Sequence, residues 1–286
     1  DESEPGTFKD RQIIHKDPHQ LIEGMMISAY AIQAKQAFIY IRAEFFEGAR
    51  ILERAIQEAK AHGLCGDNIL GSGYSCDLVV HRGAGAYICG EETSLLESLE
   101  GKRGLIRAKP PLPAKEGLMG QPTLVHNVLT LCSVPWIVRQ GGASYARFGE
   151  GASTGTMPFQ LSGNVRRGGI VEIPFGLPLR ELIERYGGGT LSGRPIGAIQ
   201  VGGPLGAYLL PETFDTPLTY EAMQAIGAGI GHGGIVVFDD QVDLVERARA
   251  AFEFCAIESC GKCTPCRLGA TRGEELLKAI QRDGVS

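Results

Sequence analysis

The sequence predicts an α/β domain, then a smaller α+β module, then a helical tail. Along the first 150 residues, helix-period stretches alternate with short strand-like runs. Between 157 and 238, several short β runs surround one amphipathic helical stretch. From Asp243 onward the pattern is helical, interrupted once by a cysteine-rich turn. Alternation of the first kind argues for a sheet with parallel strands. The division that follows is 1–150, 155–240 and 241–286, with a composition shift at "RFGEGASTGT" (147–156) near the first boundary.

Each element has its own warrant. Residues 19–36 carry Leu21, Met25, Ala29 and Ile32 at helical spacing. "AFIYIRAEF" (37–45) is rich in aromatic and β-branched residues and reads as a strand. Residues 48–62 form a helix with Ile51, Leu52, Ala55, Ile56 and Ala59 on one side and Gly63 as its stop. "CDLVVHRG" (76–83) is the next strand, followed by a glycine turn and a helix from about Glu91. Residues 106–123, "IRAKPPLPAKEGLMGQPT", are too rich in proline for a regular element and form a surface or site-lining loop. A helix follows at 127–141. In the second module, "MPFQLSGNV", "GIVEIPF", "AIQVGGP" and "GIVVFDD" are strands around the helical "PLRELIERYG". Gly202-Gly203-Pro204 and "YGGGTLSG" read as turns, with subunit contacts the other reading. In the tail, Leu244, Ala248, Ala251, Phe252 and Cys255 share a helix face, and a second helix runs over 267–281.

The bulk composition narrows the class. A chain of 286 residues can bury a sizeable core. Its formal net charge of −5 disfavours nucleic acid as a partner. The start, "DESEPGTFKDR", is charged and unlike a signal peptide. The longest apolar region, "LIEGMMISAYAIQAKQAFIYI", is broken by Glu23, Gln33, Lys35 and Gln36, so it reads as a buried helix running into a strand and not as membrane-inserted. Glycine, with 40 residues and no collagen period, serves turns and close backbone approaches. Of the eight cysteines, Cys260, Cys263 and Cys266 form a comb and the rest are scattered, which fits a reducing compartment with a metal site.

That comb, "ESCGKCTPCRLG" (258–269), sets three sulfurs at two-residue intervals on one tight loop. Zinc sites pair two separated couples, and no second couple lies in the sequence. Three close thiolates with a remote fourth ligand are the arrangement an iron–sulfur cubane takes. Thr264 and Pro265 keep the loop from becoming helical before Cys266, while Lys262, Arg267 and the helix start offset the thiolate charge. A structural or redox Cys-x-x-Cys is the bland alternative. The fourth ligand is either Cys255, on the preceding helix, or a cysteine past Ser286.

"VVHRGAGAYICGEETSLLESLEG" (79–101) places Gly83, Gly85 and Gly90 between a strand and a helix. Such turns let backbone N–H groups approach a phosphate or a flat ring. The spacing is not G-x-G-x-x-G, and plain helix capping by Glu91 and Glu92 remains open. Two carboxylates beside a phosphate would repel it, so they face uncharged parts of a cofactor such as ribityl or ribose hydroxyls.

"GAGAYICGEETSLLESLEGKRG", "KPPLPA", "HNVLTL" and "ESCGKCTPCR", in that order, resemble the NADH-binding flavoprotein subunit of respiratory complex I. The same family includes the flavoprotein subunits of NAD-dependent formate dehydrogenases and NAD-reducing hydrogenases. The resemblance covers essentially the whole chain. It implies a Rossmann-like domain with FMN, a ubiquitin-like β-grasp module of the soluble-ligand-binding type, and an all-α helical bundle with a [4Fe-4S] cluster. It also implies a chain cut at both ends, lacking an upstream glycine-rich flavin loop and a fourth cluster cysteine beyond Ser286.

Carried over motif by motif, the resemblance places Asp1, Glu2 and Ser3 on the ribityl chain and ring of FMN, and Glu4 near NAD. Tyr87, Gly90, Glu91 and Glu92 would line the flavin, with Glu92 also reaching the dinucleotide. Lys109 would approach NAD(H), although in isolation it reads as a solvated loop lysine. His126 and Asn127 match a flavin-contacting pair that in complex I is usually two asparagines, so His126 departs from the pattern and adds a titratable group. Leu112 departs too, standing where complex I has phenylalanine beside the adenine. Cys260, Cys263 and Cys266 would hold the cluster.

No acid–base residue is assigned, because the chemistry belongs to the flavin. The implied function is passage of electrons between NAD(H) and iron–sulfur clusters through FMN. "HNVLTL", "GHGGIVVFDD" and "CRLGATRG" lean toward the NAD-dependent formate dehydrogenase branch, which converts formate and NAD+ to CO2 and NADH. The alternatives are the NADH-oxidising subunit of complex I and an NAD-reducing hydrogenase; a non-catalytic electron-relay scaffold is the rival of another class. Implied partners are a [2Fe-2S] thioredoxin-like subunit and either an iron–sulfur/molybdenum catalytic subunit or the complex I peripheral arm. The implied location is cytoplasmic, or the cytoplasmic or matrix face of a membrane.

Overall fold

The computed structural model describes residues 2–284. The chain divides into two compact units: residues 2–3 with Asp10–Gly142, and Glu4–Lys9 with the described residues from Ala143 on.

The first unit is α/β. Helix α1 (Lys9–Lys16), which periodicity did not single out, leads into α2 (Pro18–Ile32). Asp17 caps α2 by accepting the Gln20 N–H, and Pro18 sits in the first turn, where its missing N–H costs nothing. The helix stops at Ile32 and not at 36. Gln33 turns left-handed (φ 58°), and the Ala34 N–H returns to the Ala29 carbonyl at 2.9 Å. Strand β1 (Gln36–Ile41) is shorter than its hydrophobic run, because the chain turns at Arg42, whose carbonyl accepts the Phe45 N–H. Helix α3 (Phe46–Ala61) buries Ala49, Leu52, Ala55, Ile56 and Ala59 and ends before Gly63 (φ 67°).

Strand β2 (Asp77–Arg82) pairs in parallel with β1, from Gln36 opposite Asp77 to Ile41 opposite Arg82. Helices α4 (Glu92–Leu99) and α5 (Val128–Gln140) complete the unit. Its core joins Leu21, Ile22 and Met25 of α2 to Ile39, Ile41, Leu52, Ile56 and Leu78. At Gly24 a Cβ would run into the Leu131 carbonyl, so only glycine allows α2 this close to α5. Between α4 and α5 the chain from 106 to 123 is irregular apart from a turn at Leu118–Gly120.

The second unit opens on the Glu4–Lys9 strap. A short turn α6 (Gly142–Tyr145) and a small hairpin, β3 (Gly149–Glu150) with β4 (Ser153–Thr154), come next in sequence. Five strands follow: β5 (Thr156–Gly163), β6 (Gly169–Pro174), β7 (Ile196–Val201), β8 (Ala207–Leu209) and β9 (Gly234–Asp239). Their order across the sheet is β6-β5-β9-β7-β8, with β5 and β9 parallel and all other neighbours antiparallel. One helical stretch crosses the sheet's sequence, α7 (Leu179–Glu181), widened by a π-helical turn over Leu182–Tyr186. Leu179, Leu182 and Ile183 are fully buried, as are Phe159, Leu161, Ile199, Ile235 and Val237 of the strands. Helix α8 (Tyr220–Ala225) is short and had no periodic signal.

Two helices make the tail, α9 (Leu244–Glu258), capped by Asp243, and α10 (Ala270–Asp283). They pack through Gly273, where a Cβ would overlap the Phe252 ring. Among the described residues, no helix is long and apolar enough to cross a membrane.

Candidate functional site

After β2 the chain makes the glycine turn. Gly83 approaches the Tyr40 hydroxyl too closely for a Cβ, and Gly85 (φ 85°) would set a Cβ 2.5 Å from Glu44 Oε1. Gly83 is therefore favoured by its contact with the Tyr40 ring, and Gly85 by its left-handed backbone, since the exposed Glu44 carboxylate could move aside. A single turn over Tyr87–Gly90 follows, with Tyr87 half-buried, Cys89 buried and Gly90 exposed.

Glu91 then caps α4. Its Oε2 accepts the Thr93 N–H (2.9 Å), the Ser94 N–H (3.0 Å) and the Thr93 hydroxyl (2.5 Å). Its Oε1 accepts from Lys109 Nζ at 3.0 Å, and the same ammonium reaches Glu92 Oε1 at 2.5 Å. Burial would raise the Glu91 carboxyl, but the Thr93 hydroxyl, the Ser94 N–H and Lys109 outweigh it and hold it below the usual range. Glu92 first, then Glu91, hold the Lys109 ammonium charged to higher pH. So Lys109 is no freely solvated loop lysine: the irregular loop folds back onto the α4 N-terminus and closes an ion triad. Lys109–Pro110 and Pro110–Pro111 are both cis. Leu112 is exposed in the same loop.

Asn127 caps α5 by accepting the Leu129 N–H (2.9 Å), and its amide donates to Asp10 Oδ2 at 3.3 Å. His126 beside it is exposed. Glu2 is buried and turned into the protein, accepting the Asp10 N–H (2.6 Å) and the Arg11 N–H (3.1 Å) at the start of α1. Its carboxylate is thus occupied by the dipole and orphan donors of a helix N-terminus, where the resemblance had placed it on the ribityl chain. Ser3 is half-buried, and Asp1 lies outside the described residues. Glu4 belongs to the second unit, where its Oε1 lies 3.3 Å from His232 Nε2; the Gly234 N–H donates to Nδ1, which leaves the ring proton on Nε2.

The comb joins α9 to α10. All eight cysteines are free thiols. Cys260 is half-buried, while Cys263 and Cys266 are exposed. Among the described residues no three His, Cys, Asp or Glu side chains are gathered as around a metal ion. The helix also begins earlier than expected: Thr264 is already helical, and Pro265–Gly269 form a π-helical turn that includes Cys266. Pro265 does not block this, because a proline in the first helical turn gives up no hydrogen bond. Arg267 folds back, its Nε donating to the Gly261 carbonyl at 2.5 Å, and closes the loop. Burial first, and Cys266 second, push the Cys255 thiol up.

The donor sets suit the implied groups. Three free thiols within seven residues supply the donor chemistry of an iron–sulfur cluster, although their side chains are not drawn together around one point. In the first unit, accessible carboxylate, ammonium and amide groups at Glu91, Glu92, Lys109 and Asn127 match a phosphate-bearing, polyhydroxylated cofactor. Sequence reasoning missed Thr93, Arg107, Asp10 and His232. A threonine two residues past an N-cap glutamate was a readable signal for the first; Arg107 acts across an aperiodic loop, and Asp10 and His232 meet residues distant in sequence.

Comparison with known proteins decides the family. The family described as Nuo51 FMN-binding domain matches residues 1–136, and the NADH-ubiquinone oxidoreductase-F iron-sulfur binding region matches 246–286. The second NADH-quinone oxidoreductase F-subunit of Rhizobium meliloti (strain 1021) is 49% identical over 282 residues, covering 98% of this chain and 67% of that one. The chain belongs to the NADH-quinone oxidoreductase F-subunit family. The F-subunit of Aquifex aeolicus (strain VF5) is also 49% identical, over 99% of this chain and 65% of its own. The crystal structure of an NAD+-reducing [NiFe]-hydrogenase in the H2-reduced state has a chain that superposes with a TM-score of 0.86 at 38% identity, covering 98% of this chain and 46% of that one. The chain therefore spans about two thirds of these two F-subunits and under half of the hydrogenase chain. As a family member it carries an FMN-binding domain and a 4Fe-4S-binding region of an NAD(H)-linked oxidoreductase.

Proposed function

We propose that this chain is the cofactor-bearing part of a subunit that oxidises NADH and delivers electrons to iron–sulfur clusters, in an assembly of the complex I type. The observation that carries this is the presence, in one chain, of both matched regions, 1–136 for FMN and 246–286 for the cluster. FMN, when bound, exchanges electron pairs with a nicotinamide and single electrons with clusters. The protein's own work is to bind and orient. In this reading Ser3, Tyr87, Gly90, Glu91, Glu92, His126 and Asn127 face the flavin, with Asp1 and the Glu2 backbone beside them. Glu4, Glu92 and Lys109 serve NAD(H). Cys260, Cys263 and Cys266 supply cluster thiolates.

The NAD+-reducing hydrogenase is the second reading, favoured by the likeness in fold over 98% of this chain. The formate dehydrogenase lean drawn from "HNVLTL", "GHGGIVVFDD" and "CRLGATRG" is weaker than either, since the relatives above are quinone oxidoreductase subunits and a hydrogenase. In this reading 1–150, 155–240 and 241–286 are the functional parts, the described residues of the last two lying within one compact unit. A sheet ordered β6-β5-β9-β7-β8 with a parallel central pair supports a β-grasp reading of the middle part. Partners of the proposed assembly are a [2Fe-2S] thioredoxin-like subunit and the subunits that carry electrons onward, on the cytoplasmic side.

The test is the complete subunit, loaded with FMN and iron–sulfur, mixed with NADH and ferricyanide. Rapid NADH-dependent ferricyanide reduction is expected. A flavin-loaded protein that leaves NADH unoxidised would refute the proposal. Copurification with a quinone-reducing arm, and not with a hydrogenase, selects the first reading.

A further inference from the structure

We propose that Thr93 is a positioning residue for dinucleotide binding: one hydroxyl fixes both Glu91 and the loop that brings Lys109 to Glu91 and Glu92. This rests on the functional reading above, in which Glu92 and Lys109 serve NAD(H).

Thr93 is 1% exposed, so its hydroxyl must find protein partners. It has two. The Arg107 N–H lies 2.9 Å from Oγ1, and Glu91 Oε2 lies 2.5 Å from it. An amide N–H can only donate, so the hydroxyl accepts from Arg107 and its proton points at the Glu91 carboxylate. The direction of the relay is therefore fixed by chemistry.

Arg107 is where the irregular loop is fastened. Its guanidinium donates to Glu97 Oε1 (2.6 Å), Glu100 Oε1 (2.8 Å) and the Gly117 carbonyl (2.9 Å). It thereby ties the start of the loop and its turn at Gly117 to the end of α4. Only Ala108 separates Arg107 from Lys109, and each residue of extended chain spans about 3.5 Å, so a shift of the Arg107 backbone carries the Lys109 ammonium with it. Thr93 thus registers both halves of the pair, the carboxylate through its proton and the ammonium through the Arg107 amide.

The role is separable from folding. Oε2 of Glu91 keeps the Thr93 and Ser94 N–H donors when the hydroxyl is gone, so the α4 cap survives. Replacement by valine keeps the shape and removes both hydroxyl bonds, leaving the Arg107 N–H without its acceptor.

The test uses the complete FMN- and cluster-loaded subunit in its native complex. For Thr93→Val, NAD+ titrated calorimetrically without turnover should bind about tenfold more weakly, and KM for NADH should rise in step, while kcat stays within about twofold. Amide exchange over residues 106–123 should accelerate. Thr93→Ser, which keeps the hydroxyl, should restore affinity and protection. An unchanged NAD+ affinity in folded, flavin-replete Thr93→Val overturns the proposal, as does an equal loss in Thr93→Ser. If Thr93→Val does not accumulate folded, Thr93→Cys, similar in volume and a weaker donor, is judged by the same readings. Wild-type complex that binds no NAD(H) would instead overturn the functional reading itself, and this assignment with it.

Discussion

Glu100 shows how one side chain holds the candidate site together. Its side chain is 6% exposed, and Lys102 (2.7 Å) and Arg107 (2.8 Å) pair with it. Lys102 first and Arg107 second draw its carboxyl down to about 2, against the opposing effect of burial. It also accepts the N–H of Met119, a bulky residue held at φ 50° where few side chains sit without support. Because the folded value lies below the unfolded one, this contribution is complete above about pH 4.3 and is lost as the pH falls toward 2. Denaturation midpoints should therefore drop as the pH falls from about 4.3 toward about 2. Glu100→Gln should flatten that acid limb and cost about 1–3 kcal/mol at neutral pH, because Arg107 loses an ion-pair partner. An acid limb unchanged by Glu100→Gln would place the titrating group elsewhere. Little of this was legible in the sequence. The motif positions of Glu91, Glu92 and Lys109 were, but a loop of prolines gives no period from which a closure such as that of Lys109 onto two glutamates can be read.

Elements were legible where hydrophobic period and punctuation agree. Helix α3 ends just before Gly63, and α5 starts at the Asn127 cap, as the sequence indicated. Departures came where a single backbone conformation decides: the left-handed Gln33 ends α2 early, and Pro265 opens a helix where it was expected to delay one. Helix–helix spacing was likewise hidden, because Gly24 in α2 looks like an ordinary weak point in a helix. In the structure it is the contact with α5, where a Cβ would strike the Leu131 carbonyl. Gly24→Ala would gain helix propensity of about 1 kcal/mol, but it must push the two helices apart, and overpacking costs about 1–3 kcal/mol. The steric cost is expected to win, since the clash is with backbone and cannot be relieved by a rotamer change. A lower melting temperature for Gly24→Ala is the predicted outcome, and a higher one would show that α2 and α5 slide freely.

At the scale of the whole molecule, the N-terminal strap is what sequence reading could not reach. Residues 4–9 interrupt the first unit in sequence yet belong to the second, because the hydrogen-bond partner of Phe8 and Lys9 lies some 150 positions away. Gln160 on β5 is fully buried; its Oε1 accepts the Phe8 N–H (2.5 Å) and the Lys9 N–H (3.0 Å), while its Nε2 donates to the His232 carbonyl (2.8 Å). No local pattern marks a strand glutamine as the anchor of a distant segment. Gln160→Leu preserves bulk but strips acceptors from two backbone N–H groups, of which the Lys9 bond is buried, and a loss of about 2–4 kcal/mol follows. Each unit has its own core, so that loss should stay local. Amides of β5, β7 and β9 are expected to exchange faster in Gln160→Leu, while those of β1 and β2 keep their protection. Equal loss of protection in β1 and β2 would overturn the expectation that the loss stays within the second unit.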